Sequence, residues 1–334
     1  MNAALWWKKQ KDSVKCFLCP RNCLIMEGQK GFCGVRENKN GKLYSLVYGK
    51  ASGIQIDPIE KKPLYHFLPG TSAFSVGTVG CNFVCQNCQN WATSQAGPEK
   101  MHAYNLSPEE IVKKAKEQHC STIAYTYNEP TVFAEYALET ARLARKAGMK
   151  NILVTNGFTG KEATLDFCKF IDGVNVDLKS LDNDFYKKYS GAWLEPVLES
   201  IKTYHKKKIW VELTNLIIPT LNDDMNKIKE MVAWIKENTS SDVPLHFSAF
   251  YPSYKLEDLP HTSAATLMEA RKLALEMGMN HVYIGNIVTT EEDNTYCPKC
   301  KKLVIERMNF TALQNNLKNG KCECGERIQG VWNK

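Results

Sequence analysis

The chain has 334 residues, of which 43% are hydrophobic and 24% charged. That balance belongs to an ordinary globular protein and excludes a disordered chain, a collagen or a coiled coil. Lys+Arg 43 against Asp+Glu 36 leave a net +7, compatible with a nucleic acid or an acidic protein partner but not requiring one. No run of eighteen apolar residues occurs, and residues 1–15 mix Trp and Lys without an apolar core. Neither a membrane span nor a secretory leader is expected, so the chain reads as cytoplasmic.

The abnormal number is 13 cysteines. Disulfides are rare in a reducing compartment, so clustered cysteines read first as metal ligands. Three clusters divide the chain into an N-terminal Cys-rich module (1–70), a long middle (71–294) and a tail (295–334). Cys120 and Cys168 stand alone and read as small core residues.

In the first module, Cys16-x2-Cys19-x3-Cys23 is followed by Cys33, with Gly28, Gly31 and Gly34 supplying tight turns. Four thiolates can close a zinc site or hold a fully ligated iron–sulfur cluster, and the spacing leaves both open. Trp6-Trp7 reads as packing against the body of the protein.

The middle alternates strand and helix patterns. Apolar or β-branched runs at 73–79, 122–127, 151–155, 173–178, 209–217, 245–250 and 281–284 suit strands buried on both faces of a parallel sheet. Between them, Ser107-Pro108-Glu109-Glu110 carries an N-cap, a first-turn proline and a capping-box glutamate. A second helix follows Pro130 and stops at Gly148, a third starts near Asn222-Asp223, and the last ends at Gly278. Lys206-Lys207-Lys208 reads as a solvated helix end. Repeated βα units predict an α/β fold with a parallel sheet, either an open doubly wound sheet or a partial (β/α) TIM-type barrel of about six units or a full one, with function in each case at the C-terminal strand ends.

One such end carries Cys81-x3-Cys85-x2-Cys88, directly after the first strand. Three thiolates can hold three irons of a 4Fe-4S cluster and leave the fourth open to an exchangeable ligand. Zinc prefers paired CxxC knuckles, which this loop lacks. In the tail, Cys297-x2-Cys300 and Cys322-x-Cys324 read as a zinc-ribbon-like pair of knuckles, the second one residue short of the usual spacing. Of seven scattered histidines, His246 has the best claim to line a site, lying in a strand directed toward it.

At these residues the sequence resembles the radical SAM enzymes, whose CxxxCxxC lies on the first βα loop of a partial barrel. The resemblance continues at Tyr127-Asn128-Glu129-Pro130, Thr155-Asn156-Gly157, Asp177-Leu178-Lys179 and Leu216-Ile217-Ile218-Pro219. Asp177-Leu178-Lys179 is similar to the Asp-Leu-Lys of the pyruvate formate-lyase activating enzymes. Over nearly its full length the chain resembles the AmmeMemoRadiSam system radical SAM enzyme, through Cys19-Pro20-Arg21-Asn22-Cys23, Gly31-Phe32-Cys33-Gly34, Asp57-Pro58-Ile59-Glu60 and His246-Phe247-Ser248. It departs from the wider pattern at Asn87, where many relatives carry an aromatic residue, and at Asn128, which replaces a glycine.

The resemblance implies a 4Fe-4S cluster and S-adenosyl-L-methionine (SAM), with Cys81, Cys85 and Cys88 as ligands. It implies Asn128, Glu129, Thr155, Asn156, Asp177, Lys179 and His246 around SAM, Glu129 holding the ammonium and Asp177 with Lys179 the ribose and carboxylate. A reductive step implies an electron donor such as flavodoxin or ferredoxin. The Cys modules and basic balance suit a macromolecular substrate, RNA or a partner protein, alongside other AmmeMemoRadiSam proteins. A glycyl-radical enzyme activase and a non-catalytic, metal-stabilised nucleic-acid-binding module are the alternative readings.

Overall fold

The structure, a computed structural model, describes residues 2–332. Its centre is one eight-stranded sheet: β1 (Gly53–Pro58), β2 (Ser72–Gly77), β3 (Thr122–Tyr125), β4 (Lys150–Thr155), β5 (Gly173–Asp177), β6 (Trp210–Ile217), β7 (Leu245–Ala249) and β8 (Val282–Gly285). The strands lie in chain order, β2 to β8 parallel and β1 antiparallel along the edge of β2. All seven strand runs expected from the sequence form, with ends moved by one or two residues. The antiparallel β1 was not among them, because its burial pattern is mixed and its side chains carry no clean alternation.

The longer helices of the crossovers are α1 (Pro108–Glu117), α2 (Ala134–Lys146), α3 (Lys161–Phe167), α4 (Glu195–Lys206), α5 (Met225–Asn238) and α6 (Ala264–Glu276). Their ends follow local chemistry. At α1 the Ser107 Oγ accepts from Glu110 N–H (3.2 Å) and Glu110 accepts from Ser107 N–H (2.6 Å), a closed capping box. α5 begins at Met225, not at Asn222-Asp223, because Asp224 is the residue whose carboxylate accepts from Asn226 N–H.

Pairing register separates the two sheet faces. Val174, Val176, Val211, Leu213, Leu245 and Phe247 pack with helix residues such as Ala137, Ile201 and Ile228 in one apolar core. The alternate positions Asn175, Glu212, His246 and Tyr283 point to the other face, which is polar. The segment after β1 crosses that face at the N-terminal ends of the strands. There Leu64, Phe67 and Leu68 pack on Ala73, Ala124 and Ile152.

The tail completes this floor. Thr295–Tyr296, Leu303–Met308 and Thr311–Asn315 form a small antiparallel sheet. Val331 exchanges backbone hydrogen bonds with His66 and Leu68 at 2.7 Å each. Fully buried Arg307 donates to the carbonyls of Tyr65 (2.6 Å) and Asp293 (3.1 Å) and sits 3.7 Å from Glu60. At the other end of the chain, the strands Trp7–Gln10, Ser13–Cys16 and Leu24–Met26 pair with one another. They join the main core through Val14, Leu18 and Ile25. A buried ion pair, Arg36 to Glu135 at 2.8 Å, fastens this part to α2.

Candidate functional site

β2 ends at Gly77, and the chain turns through Thr78, Val79 and Gly80 into the cysteine loop. The turn needs glycine: Gly80 has φ +85°, and a Cβ there would lie 2.5 Å from the Cys33 carbonyl oxygen. Asn128, at the mouth of β3, buttresses it. Its side chain accepts from Thr78 N–H (3.0 Å) and donates to Thr78 Oγ1 (3.1 Å) and the Gly80 carbonyl (2.8 Å). Asn128 therefore braces the loop that carries Cys81.

The three thiols are half-buried and close enough to sense one another. Cys81 Sγ accepts from Phe83 N–H at 3.3 Å, and Cys88 Sγ lies 3.2 Å from Ser94 Oγ. Burial pushes the Cys81 thiol well up, and the neighbouring Glu129 and Cys85 add to the shift. Burial also raises Cys85, against the opposing charge of Lys179. Thiols this costly to ionise alone are stabilised as thiolates by a cation or metal.

Glu129 is 2% exposed and anchors two strand ends. One carboxylate oxygen accepts from Thr131 N–H (2.9 Å), Thr131 Oγ1 (2.7 Å) and Thr155 Oγ1 (2.7 Å). The other accepts from Asn156 N–H at 2.8 Å. Burial raises its pKa, against these hydrogen bonds, which favour the anion. Asn156 in turn donates to Asn82 Oδ1 (2.9 Å) and reaches Cys81 Sγ at 3.9 Å. Asn128, Glu129, Thr155 and Asn156 are thus one hydrogen-bonded set with the cysteine loop. Asp177 and Lys179, at the end of β5, pair at 3.0 Å, and the Lys179 ammonium lies beside Cys85. Asn215 and Asn222 hold this turn by donating to the Lys179 carbonyl.

His246 is the exception. Its Nε2 lies 2.7 Å from Glu212, and its ring packs on Tyr65 and Tyr283, within the floor network. Glu212 also accepts from the backbones of Tyr65 (2.9 Å) and His66 (2.8 Å). The strand is correctly aimed, but His246 is only its second residue, and its ring is turned toward the floor.

Sequence reasoning missed Arg21. Its guanidinium stacks 3.4 Å over Phe32 and donates to the carbonyls of Asn82 (2.7 Å) and Gly191 (2.5 Å). The flanking Cys19 and Cys23 were the available signal. In the tail, Cys297 Sγ to Cys324 Sγ is 3.7 Å and Cys300 Sγ to Cys322 Sγ is 3.6 Å. A tetrahedral ion with ~2.3 Å metal–sulfur bonds needs edges of ~3.8 Å, so this set is shaped for one ion.

The donor set at β2 fits a 4Fe-4S cluster with an open corner: three soft thiolates, a neighbouring ammonium, and hydrogen-bonding groups on adjoining strand ends. The radical SAM superfamily profile matches residues 75–235, which hold all of these groups. The uncharacterized protein MJ0808 of Methanocaldococcus jannaschii is 46% identical over 99% of this chain and 100% of its own length. The chain belongs to the radical SAM superfamily. Members of this superfamily are enzymes that use an iron–sulfur cluster and SAM.

The pyruvate formate-lyase-activating enzyme of Clostridium pasteurianum is 23% identical over 54% of this radical SAM chain and 80% of its own. Among solved structures, QueE from Escherichia coli aligns with 70% of the chain and 92% of its own at 12% identity, with a TM-score of 0.44. Among the described residues, no helix is long and apolar enough to cross a membrane.

Proposed function

We propose that this enzyme holds a 4Fe-4S cluster on Cys81, Cys85 and Cys88 and directs radical chemistry onto a macromolecule, RNA or a partner protein. The observation that carries the reading is the thiol triad at the C-terminal strand mouth, hydrogen-bonded through Asn156 to the Glu129 hub. When bound, the reduced cluster and SAM supply homolytic cleavage to a 5′-deoxyadenosyl radical.

The chain's own groups bind and orient. Glu129 keeps the mouths of β3 and β4 in one geometry, and its second oxygen, with a single donor, retains capacity for the SAM ammonium. Lys179 offers a cation to the SAM carboxylate, and Asp177 acceptors to ribose hydroxyls. Asn128 fixes the loop that presents Cys81.

A macromolecular substrate is favoured by the rim. Trp91, 47% exposed, stacks on Tyr254 at 5.2 Å beside Lys255, and exposed Tyr251 follows the end of β7. The tail thiols hold zinc in this reading, and a flavodoxin or ferredoxin supplies electrons in the cytoplasm, with AmmeMemoRadiSam proteins as partners in the pathway. Likeness to the Clostridium activating enzyme supports a glycyl-radical activase as the second reading.

Anaerobic incubation with SAM, dithionite and cell lysate or total RNA, followed by mass spectrometry, tests both. Production of 5′-deoxyadenosine that disappears in the Cys81→Ala/Cys85→Ala/Cys88→Ala variant is expected. Production undiminished in that variant would refute the assignment.

A further inference from the structure

Two four-thiol sets flank the central loop, and they differ in geometry. Among the described residues, only the tail thiols lie all within 4.8 Å of one another. Cys16, Cys19, Cys23 and Cys33 instead surround a small, mostly apolar cavity with Leu18, Phe32, Thr131 and Val132 in its wall. A single tetrahedral ion draws four sulfurs together, as the tail set is drawn; a four-iron cube, ligated at its corners, holds them apart around a volume.

A second feature points to a sulfur-rich occupant. Arg36 lines the same cavity and is 1% exposed, and its Nε–H has no hydrogen-bond partner although another of its nitrogens pairs with Glu135 at 2.8 Å. An orphaned buried donor is costly. Metal-bound thiolates, and the sulfides of a cube, are acceptors for such a donor.

The site also adjoins the central one. The Cys33 carbonyl is packed against Gly80, whose next residue is Cys81, so closely that a Cβ on Gly80 would lie 2.5 Å from its oxygen. Arg21, between Cys19 and Cys23, donates across to the Asn82 carbonyl, next to Cys81 on its other side. Two independent contacts thus join the two loops that carry the thiols.

We infer that Cys16, Cys19, Cys23 and Cys33 hold a second 4Fe-4S cluster, not zinc, electronically coupled to the central one as its electron port. This rests on the radical SAM reading only for the identity of the central cluster. One electron passes from a low-potential flavodoxin or ferredoxin to the N-terminal cluster, taking it from 2+ to 1+. The same electron then moves to the central cluster, which goes from 2+ to 1+ as the first returns to 2+. No atom or proton is transferred.

Metal and sulfide analysis of the anaerobically purified full chain decides the occupant. About eight irons and one zinc are expected; about four irons and two zincs would overturn the inference. The Cys81→Ala/Cys85→Ala/Cys88→Ala variant should keep about half the iron and a reduced-cluster electron paramagnetic resonance signal, with tail zinc reporting that it has folded. The Cys16→Ser/Cys33→Ser variant should lose the other half.

Coupling is read in the fully reduced wild type, whose signal should be broadened beyond the sum of the two variants' signals. A spectrum equal to that sum would overturn the electron-port role. Loss of all iron with the central triad would overturn the N-terminal cluster itself. Persistent SAM cleavage by the triad variant would instead defeat the central assignment while leaving the N-terminal iron count intact.

Discussion

Glu129, at the mouth of β3, accepts a 2.8 Å hydrogen bond from the backbone N–H of Asn156, at the mouth of β4. One carboxylate therefore sets the spacing of two loops that face the cysteine loop. Glu129→Gln puts an NH2 against at least one of its donors and removes the negative charge. A charge-assisted hydrogen bond is worth about 1.5–3 kcal/mol, so SAM affinity should fall by roughly 10- to 100-fold. Anaerobic calorimetry checks this; wild-type affinity and wild-type unfolding together would reduce Glu129 to a spectator.

Gly80→Ala addresses the turn. A residue with a Cβ pays roughly 1–2 kcal/mol for the left-handed conformation alone. Here the Cβ also meets the Cys33 carbonyl and Val35, at 2.5 and 2.6 Å. The expected result is a marked fall in unfolding midpoint together with lower iron loading, measured on the same sample. Full iron loading would mean that the two ligand loops move apart without consequence.

Arg307→Met tests the floor. The variant leaves Glu60 as a buried, uncompensated carboxylate, and breaking a buried pair from one side costs about 3–5 kcal/mol. Burial already raises Glu60 against the relief given by Arg307. Urea unfolding of the metal-loaded protein should show that loss, and the Glu60→Gln/Arg307→Met double variant should recover part of it. Equal stability of the single variant and wild type would show that the tail is merely appended.

His281 gives the fold a pH dependence. Burial lowers its pKa to about 4, against the raising influence of Asp242 and Glu212. Its Nε2 has no partner, and the His66 ring lies 4.4 Å away. The folded state thus disfavours the protonated ring, and the unfolded chain binds the proton first. Stability contributed by the neutral ring is complete above pH ~6.5 and declines as pH falls toward 4, by about 3 kcal/mol in all. His281→Asn should flatten that decline in denaturant titrations at stepped pH. An unchanged slope would assign acid sensitivity to other groups.

The elements, and the gathering of three thiols on the central loop, were legible in the sequence. Strand runs such as 151–155 carry Ile152, Leu153 and Val154 in succession because both faces of a parallel sheet are covered. Leu153 enters the main core and Ile152 the smaller cluster with Leu64 and Phe67. Covalent spacing alone puts Cys81, Cys85 and Cys88 on one loop. The Ser107 capping box was equally legible, since its partners are three residues apart. Contacts between distant segments were not legible in the sequence, because they form only when the chain folds.

His246 illustrates the limit. Its strand was readable, yet strand register and the packing of Tyr65 and Tyr283 turn its ring to Glu212 on the floor. Arg21 became visible only when the fold set it against Asn82, 61 residues away in sequence. Likewise, two four-cysteine sets that look alike as spacings part company in space. The tail knuckles close to 3.6–3.7 Å sulfur contacts, while the N-terminal thiols stand around a cavity. Ligand spacing along a chain fixes which thiols are available; the backbone between them fixes how far apart they are held, and so the size of what they hold.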